Sequence, residues 1–529
     1  MSAWRGLWPW LYAFLVLATL VVGTGLVIRL ANPLPSLEGR SVSRALGPAT
    51  ETPLSRAIGA QAAAHPGLSG VHALPDPHDA FAARVHLARA ATRTLDLQYY
   101  IWHGDLSGTL LFNEALGAAE RGVRVRMLLD DNSTSGLDPE IAAMNAHPNI
   151  EVRLFNPFTV RSPRFVGYLT DFGRLNRRMH NKAWVADNAA AVIGGRNVGD
   201  EYFGAGQGTH MTDLDLLAVG PVVADLSRSF DRYWASGSAY PAERILPDKV
   251  QPASIPDEAR RAAGEGEGRA YVERVRGSDY ARMIETRDLP LIWAPTRMAA
   301  DDPAKGLGQA PREGLLWTKL TELIGRPRRE LTLVSGYFVP TRDGVDAFVR
   351  MARDGVKVRI LTNAFEATDV PIVHAGYAQW RRELLRAGVE LFEMRGPPHG
   401  DGVERDVTAL GSTGSGARGA GSALHAKTFA VDGERLFVGS FNFDPRSRDL
   451  NTELGFVVDS PELSRWMDGH VTAFLPHNAY RVELGSDGAL RWRERVNGRE
   501  VVHDTEPGTT WWKRAAIGAL SRMPIEWLL

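Results

Sequence analysis

HNKAWVAD at residues 180–187 and HAKTFAVD at residues 425–432 are the two stretches on which the fold turns. Each sets a histidine, a lysine two residues on and an aspartate five residues after that: His180, Lys182 and Asp187, then His425, Lys427 and Asp432. An apolar run follows each, closing on small residues and an asparagine: AAAVIGGRN with Gly194, Gly195 and Asn197, and RLFVGSFN with Gly439, Ser440 and Asn442. Only seven of the 61 basic residues are lysine. One histidine therefore finds a lysine two places on about 1% of the time, and the added aspartate takes the odds below about one in a thousand. Two full copies are not an accident of composition.

The spacing has a geometric meaning. On a strand, residues two apart face the same way, so His and Lys of one copy can reach one phosphate. The apolar alternates Ala183, Val185 and Trp184, Ala186 suit a buried strand, and the aspartate falls at the turn before the next one. Lysine is a point cation for non-bridging phosphate oxygens. One histidine can attack phosphorus to give a covalent intermediate while another protonates the leaving alcohol. Asn197, Ser440 and Asn442 are candidates to bind substrate through neutral hydrogen bonds as charge develops.

Outward from the motifs, the chain repeats itself. TLDLQYYIW (Thr94 to Trp102), a helix with Phe112, Ala115, Leu116 and Ala119, and then GVRVRMLLDDN from Gly122 match ELTLVSGYFVP (Glu330 to Pro340), Val345, Phe348, Val349 and Ala352, and GVKVRILTN from Gly355. NIEVRLFNP (Asn149 to Pro157) matches AGVELFEM (Ala387 to Met394). A strand–helix–strand–strand order that occurs twice is a duplicated α/β domain. Residues 75–250 and 285–480 are assigned to the two domains, with 251–284, charged and Gly-rich, as a linker or peripheral helix. GSTGSGARGAGS (Gly411 to Ser422) reads as a surface loop, with a flap over the site as the alternative.

The bulk numbers narrow the class. At 529 residues, with 44% hydrophobic and 23% charged, this is a folded chain of more than one domain. Its net charge of −1 counts against a nucleic-acid enzyme, which needs a basic excess. The absence of cysteine removes disulfides, thiolate metal sites and a cysteine nucleophile. His65, His72, His78 and His86 lack ligand spacing and form no metal pattern; no cofactor is expected either, and His374 is the one other histidine whose loop could reach the site.

From Leu7 to Ile28 the sequence carries no charge, long enough to cross a bilayer, with Trp8, Trp10 and Tyr12 near one end. Residues 1–35 are assigned to an uncleaved membrane anchor, against a cleaved signal peptide as the alternative. Arg5 on one side and Arg29, Arg40 and Arg44 on the other lean towards a cytoplasmic body but leave the side open. Residues 481–529 form a C-terminal tail in which Trp512, Ala516, Ala519, Leu520 and Met523 share a helical face, either interfacial or packed on the protein's own domain.

These residues resemble the phospholipase D superfamily, whose signature is a duplicated HxKxxxxD with a following GS/GG-x-N, over about Pro75 to Pro476. LNRRMHNKAWVADN, GGRNVGDEYF, DLDLLAVGPVV, TDVPIVHAGYAQWRRELLRAGVELFE and GSFNFDPRSRDLNTELG are similar to one group of bacterial cardiolipin synthases. The resemblance implies two α/β sandwich domains about a pseudo-twofold axis with one metal-free site between them. It implies a phosphohistidine intermediate, with His180 as nucleophile and His425 as general acid, although the near-symmetric copies leave that order open. Asp187 and Asp432 would support the site through hydrogen bonds, and Glu453 would orient a histidine from behind. Gly195 departs from the pattern, standing where the second copy has Ser440. The implied reaction moves a phosphatidyl group onto phosphatidylglycerol at a bacterial inner membrane, from phosphatidylglycerol or phosphatidylethanolamine. A hydrolytic phospholipase D, a nuclease of the same superfamily and a non-catalytic scaffold are the alternatives. Neither acyl preference nor a helper protein is written in the sequence.

Overall fold

A computed structural model describes residues 8–47, 50–206, 210–264, 266–368, 370–396, 422–496 and 498–521. The Gly/Ser stretch from Gly411 to Gly421 and Met523 lie outside them. The repeat becomes two mixed sheets. In the first, nine strands run in the order Ile292–Ala294, Ser69–Leu74, Asp215–Val219, Ala190–Gly194, Ala183–Ala186, Thr94–Ile101, Arg124–Ser133, Ile150–Phe155 and Ala239–Pro241. The second begins Thr296–Ala300, Leu454–Asp459, Arg435–Gly439, Lys427–Val431, Glu330–Ser335, Lys357–Asn363, Glu390–Met394 and ends in three strands between Ala479 and His503. Three central strands in each sheet are parallel, because helices Leu106–Glu120 and Thr341–Arg353 cross over between them. Gly122 and Gly355 end these crossovers at φ +91° and +87°, a turn that any Cβ would strain.

One face of each sheet is covered by its own helices. Phe81, Leu111, Phe112 and Trp184 lie in one such core, and Phe338, Phe348, Leu391 and Trp492 in the other. The opposite faces meet in a third core of small and branched side chains: Ala183, Val185, Ile193 and Leu216 against Ala430, Val438 and Phe456, closed by helices Pro221–Trp234 and Pro461–Asn478. The two halves are thereby held as layers of one body, and this apolar seam aligns their motif strands.

The stretch assigned to the linker is folded onto the first half. Helices Ile255–Gly264, Gly266–Arg276 and Asp279–Thr286 bury Ile255, Tyr271 and Tyr280 there. The chain passes from one sheet to the other at Pro295, between strands Ile292–Ala294 and Thr296–Ala300. The C-terminal tail opens as sheet: Ala479–Leu484, Leu490–Val496 and Arg499–His503 add three strands to the second sheet. The last helix, Trp511–Leu520, turns Ile517 and Leu520 against the region around Val373 and Ala375, while Trp511 and Trp512 stay exposed. At the other end, Trp10–Ala31 is one helix long and apolar enough to cross a membrane, and none of its apolar window is buried in the protein.

Phe456→Ala should empty part of the seam and cost about 3–5 kcal/mol, read as a lower unfolding midpoint in denaturant. A midpoint unchanged from the parent would mean that the seam does not hold the halves together.

Candidate active site

His180 and Lys182 stand just ahead of strand Ala183–Ala186, and His425 stands just ahead of strand Lys427–Val431, which Lys427 begins. Each is fixed by the opposite half. The His180 N–H donates to the Thr452 carbonyl (2.9 Å), and the Thr452 N–H donates to the Arg178 carbonyl (2.9 Å). The N–H groups of His425 and Ala426 donate to the Thr212 carbonyl (2.8 and 3.0 Å), where Ser422–Leu424 pairs with His210–Thr212.

The side chains cross in the same way. His180 Nδ1 lies 2.9 Å from Glu453 Oε2 and 3.1 Å from the Ser440 carbonyl. His425 Nδ1 lies 2.6 Å from Asp213 Oδ2. Each ring therefore turns its Nδ1 to a carboxylate of the other half and keeps Nε2 for substrate. Asp213 was not among the residues singled out from the sequence. It is the counterpart of Glu453, since Thr212-Asp213-Leu214 and Thr452-Glu453-Leu454 enter equivalent strands.

The carboxylates differ by one carbon, and the structure makes room accordingly. A Cβ on Gly195 would sit 2.1 Å from Asp213 Oδ1, which is why the first copy has glycine where the second has serine. The Ser440 hydroxyl donates to Glu453 Oε2 (2.5 Å) and accepts from the Leu454 N–H (3.1 Å). Its one proton is thus turned to Glu453. Ser447 Oγ donates to the other Glu453 oxygen (2.8 Å). Behind them, the Glu453 N–H donates to Asp301 (2.8 Å), whose carboxylate takes the Lys305 ammonium (3.0 Å).

Lys182 and Lys427 each donate to the carbonyl of their own motif histidine (Lys182 at 2.7 Å), and both are buried. Tyr100 stands edge-on to His180 (4.9 Å between ring centres) and under Lys182, and Tyr202 stands edge-on to His425 (5.2 Å). Asn197 and Asn442 are buried beside the motifs; Asn197 Nδ2 and Asn442 Oδ1 have no partner among the described residues. Asp187 and Asp432 stand apart. Asp187 accepts the N–H groups of Thr92, Arg93 and Thr94 (2.8–3.2 Å), and Asp432 those of Arg328, Arg329 and Glu330 (2.7–3.1 Å). A four-residue strand separates each from its lysine, roughly 15 Å of chain. Through these hydrogen bonds they brace the far end of each motif strand.

Charge in the site follows burial. Desolvation and the nearby lysines push His180 well below its ordinary value and His425 down to about 4, which favours the neutral form of both rings. Burial also raises Glu453 to about 7, whereas the hydrogen bond from His425 and the adjacent cations hold Asp213 at about 2. Burial lowers Lys182 well below the usual lysine range, and the neighbouring carboxylates of Glu453 and Asp213 oppose that shift.

His374 does not join this cluster. Its Nε2 lies 2.6 Å from Glu506, which Arg381 also holds, and the group fastens the C-terminal extension to the second half. His103, Asp105 and Glu201 can bring ligand atoms within 4.8 Å of one another. Asp105, however, is the N-cap of Leu106–Glu120 and accepts the Gly108 and Asp200 N–H groups (3.0 and 2.7 Å), leaving a His103–Glu201 pair at 3.3 Å.

The sequence model of the family described as cardiolipin synthase, PLD-like domain, matches residues 85–234 and 320–474. Cardiolipin synthase C of Escherichia coli is 46% identical over 473 residues, which are 88% of this chain and 97% of that protein. Cardiolipin synthase B of Escherichia coli is 23% identical, over 74% of this chain and 77% of that one. Among solved structures, phosphatidylserine synthase of Haemophilus influenzae superposes with a TM-score of 0.54 at 13% identity, covering 90% of this chain and 98% of that one, a likeness of fold. With both motif copies inside the matched ranges and nearly the whole of a close relative aligned, the chain belongs to the phospholipase D-like family of the cardiolipin synthases.

Proposed function

We propose that this protein is a membrane-anchored phosphatidyltransferase that makes cardiolipin, passing a phosphatidyl group to a glycerol hydroxyl of phosphatidylglycerol. The observation that carries the reading is the crossed pair of His–carboxylate couples around two buried lysines in a chain 46% identical to a cardiolipin synthase. The donor is phosphatidylglycerol or phosphatidylethanolamine. The body sits on a single-pass anchor in a bacterial inner membrane, and no nucleic acid takes part.

In this mechanism the phosphodiester occupies the space between Lys182 and Lys427, which bind its non-bridging oxygens. His180 Nε2 attacks phosphorus, forming an N–P bond while the bond to the donor's headgroup oxygen breaks. His425 gives that oxygen a proton. His425, now neutral, takes the proton of the acceptor's hydroxyl as its oxygen attacks phosphorus, and the N–P bond breaks to release cardiolipin. The roles follow from the carboxylates: Asp213 stays ionised and supports an imidazolium on His425 once the phosphate offsets the lysines, while Glu453 at about 7 supports a neutral nucleophile at His180.

Full-length protein in phosphatidylglycerol vesicles, with and without phosphatidylethanolamine, should form cardiolipin, followed by mass spectrometry; released glycerol or ethanolamine names the donor. His180→Ala and His425→Ala should each lose at least about a thousandfold. Phosphatidic acid without cardiolipin would identify a hydrolase instead.

The pH profile tests the pairing. Below about pH 7 Glu453 takes up a proton, while His180, whose own value lies far lower, stays neutral. The acid then donates to Nδ1, Nε2 carries the ring proton, and the nucleophilic lone pair is lost. kcat/KM should fall with an inflection near pH 7, and Glu453→Gln should abolish that inflection as well as slow the enzyme; an unmoved inflection would rule the pairing out.

Gly195→Ala should push Asp213 off His425 and lower kcat by about 10–100-fold with KM little changed. Wild-type kcat would mean that the Asp213 contact does not matter.

A further inference from the structure

The segment just before the first motif has an unusual surface. Helix Phe165–Leu175 bends at Asp171, and it exposes Phe165, Leu169 and Phe172 by 64%, 67% and 49%. Everything else exposed between 162 and 173 is uncharged: Ser162, Pro163 and Gly173. The charges in this stretch are turned inward and paired. Arg161 meets Asp131 and Asp138, Arg164 donates to the Asp131 and Thr134 carbonyls, and Arg174 holds Asp171 (2.6 Å) and the Pro157 carbonyl (3.0 Å). A face meant for water would carry those charges outward.

This helix also touches the anchor, which fixes its depth. The Cβ position of Gly25 lies 3.6 Å from the Leu169 carbonyl oxygen and 3.9 Å from Thr170 Cγ2. A cavity of about 290 Å³ continues the contact, between Ile28–Leu34 of the anchor and Val160, Thr170 and Arg174. Gly25 stands six residues before the end of the anchor helix at Ala31, about 9 Å along its axis. A helix at that level of a spanning segment lies inside the headgroup–acyl boundary, the depth at which interfacial helices rest.

The inner face reaches the site. Tyr168 packs on Phe158 and donates to Asn132 (2.6 Å), which also lies against Tyr100, the ring beside His180. We infer that Phe165, Leu169 and Phe172 insert into the lipid bilayer that holds the anchor and seat the mouth of the active site at headgroup level, so that phospholipid enters from the side. The meaning of this contact rests on the phospholipid reading above; its first test does not.

The chain has no cysteine, so single labels are unambiguous. Phe165→Cys, Leu169→Cys and Phe172→Cys in the full-length protein, each carrying a bimane fluorophore, would be reconstituted in vesicles of phosphatidylglycerol and phosphatidylethanolamine containing lipids spin-labelled near the headgroup or deep in the acyl chain. Arg260→Cys, 75% exposed at its side chain on a distant helix, is the solvent reference. Quenching by the shallow spin label well above that at Arg260→Cys is expected at all three sites. Quenching equal to the reference overturns the insertion whether or not the enzyme turns over. Replacing all three by Asn should slow reaction of bilayer phosphatidylglycerol by about tenfold while sparing monomeric short-chain phosphatidylglycerol. Equal loss on both substrates, or loss on neither, would overturn the seating role. A parent protein inactive on both, with the labels quenched, would refute the lipid chemistry and leave the insertion standing.

Discussion

Two buried imidazoles, each oriented by a carboxylate from the opposite half, are the constraint around which the rest is built. A neutral histidine is useful to phosphorus chemistry only when its proton is held on the far nitrogen, and the 2.6 and 2.9 Å contacts to Asp213 and Glu453 do this. Both contacts span the seam between the sheets. They can be kept to a fraction of an ångström only because the seam is packed from many small side chains and because the Thr212 and Thr452 carbonyls tie the backbone on each side.

Within this twofold frame the two couples are not equivalent. The shorter Asp213 needs an empty position at Gly195, whereas the longer Glu453 is braced by two serine hydroxyls and backed by Asp301 and Lys305. The two also differ in acidity, about 2 against about 7, because His425 and nearby cations hold Asp213 down while burial raises Glu453. A duplicated fold thus gives its two histidines different surroundings by changing the shell behind the rings while leaving the rings themselves alike.

Much of this was legible in the sequence because it depends on short, regular spacings. The motif copies and the strand–helix–strand repeat have fixed intervals, and both survive intact. Asp213 was hidden because its interval does not repeat: it lies 16 residues after Asn197 (213 − 197), while Glu453 lies 11 after Asn442 (453 − 442). The Ser440 hydroxyl looked free because its partner is a side chain 13 residues away, which no local pattern shows. The strands after Ala479 escaped the sequence reading because they lie at the outer end of the sheet and are rich in charge, as in RWRERV, where only alternate residues such as Trp492 reach the core. The helix from Phe165 carries no sustained period, since it bends at Asp171, and its apolar face emerges only once its arginines are seen to fold inward.

The exchange of carboxylates also governs when the protein becomes active during its own synthesis. Ribosomes deliver the first half before Glu453 exists, so a chain that has folded only that far carries His180 with no partner on Nδ1 and Lys182 with no second lysine opposite. Such an intermediate already carries its long apolar amino-terminal helix, yet its first motif stands without the groups that orient it. Completion of the second half works as a safety catch: the site is assembled only after both halves have been made and have docked.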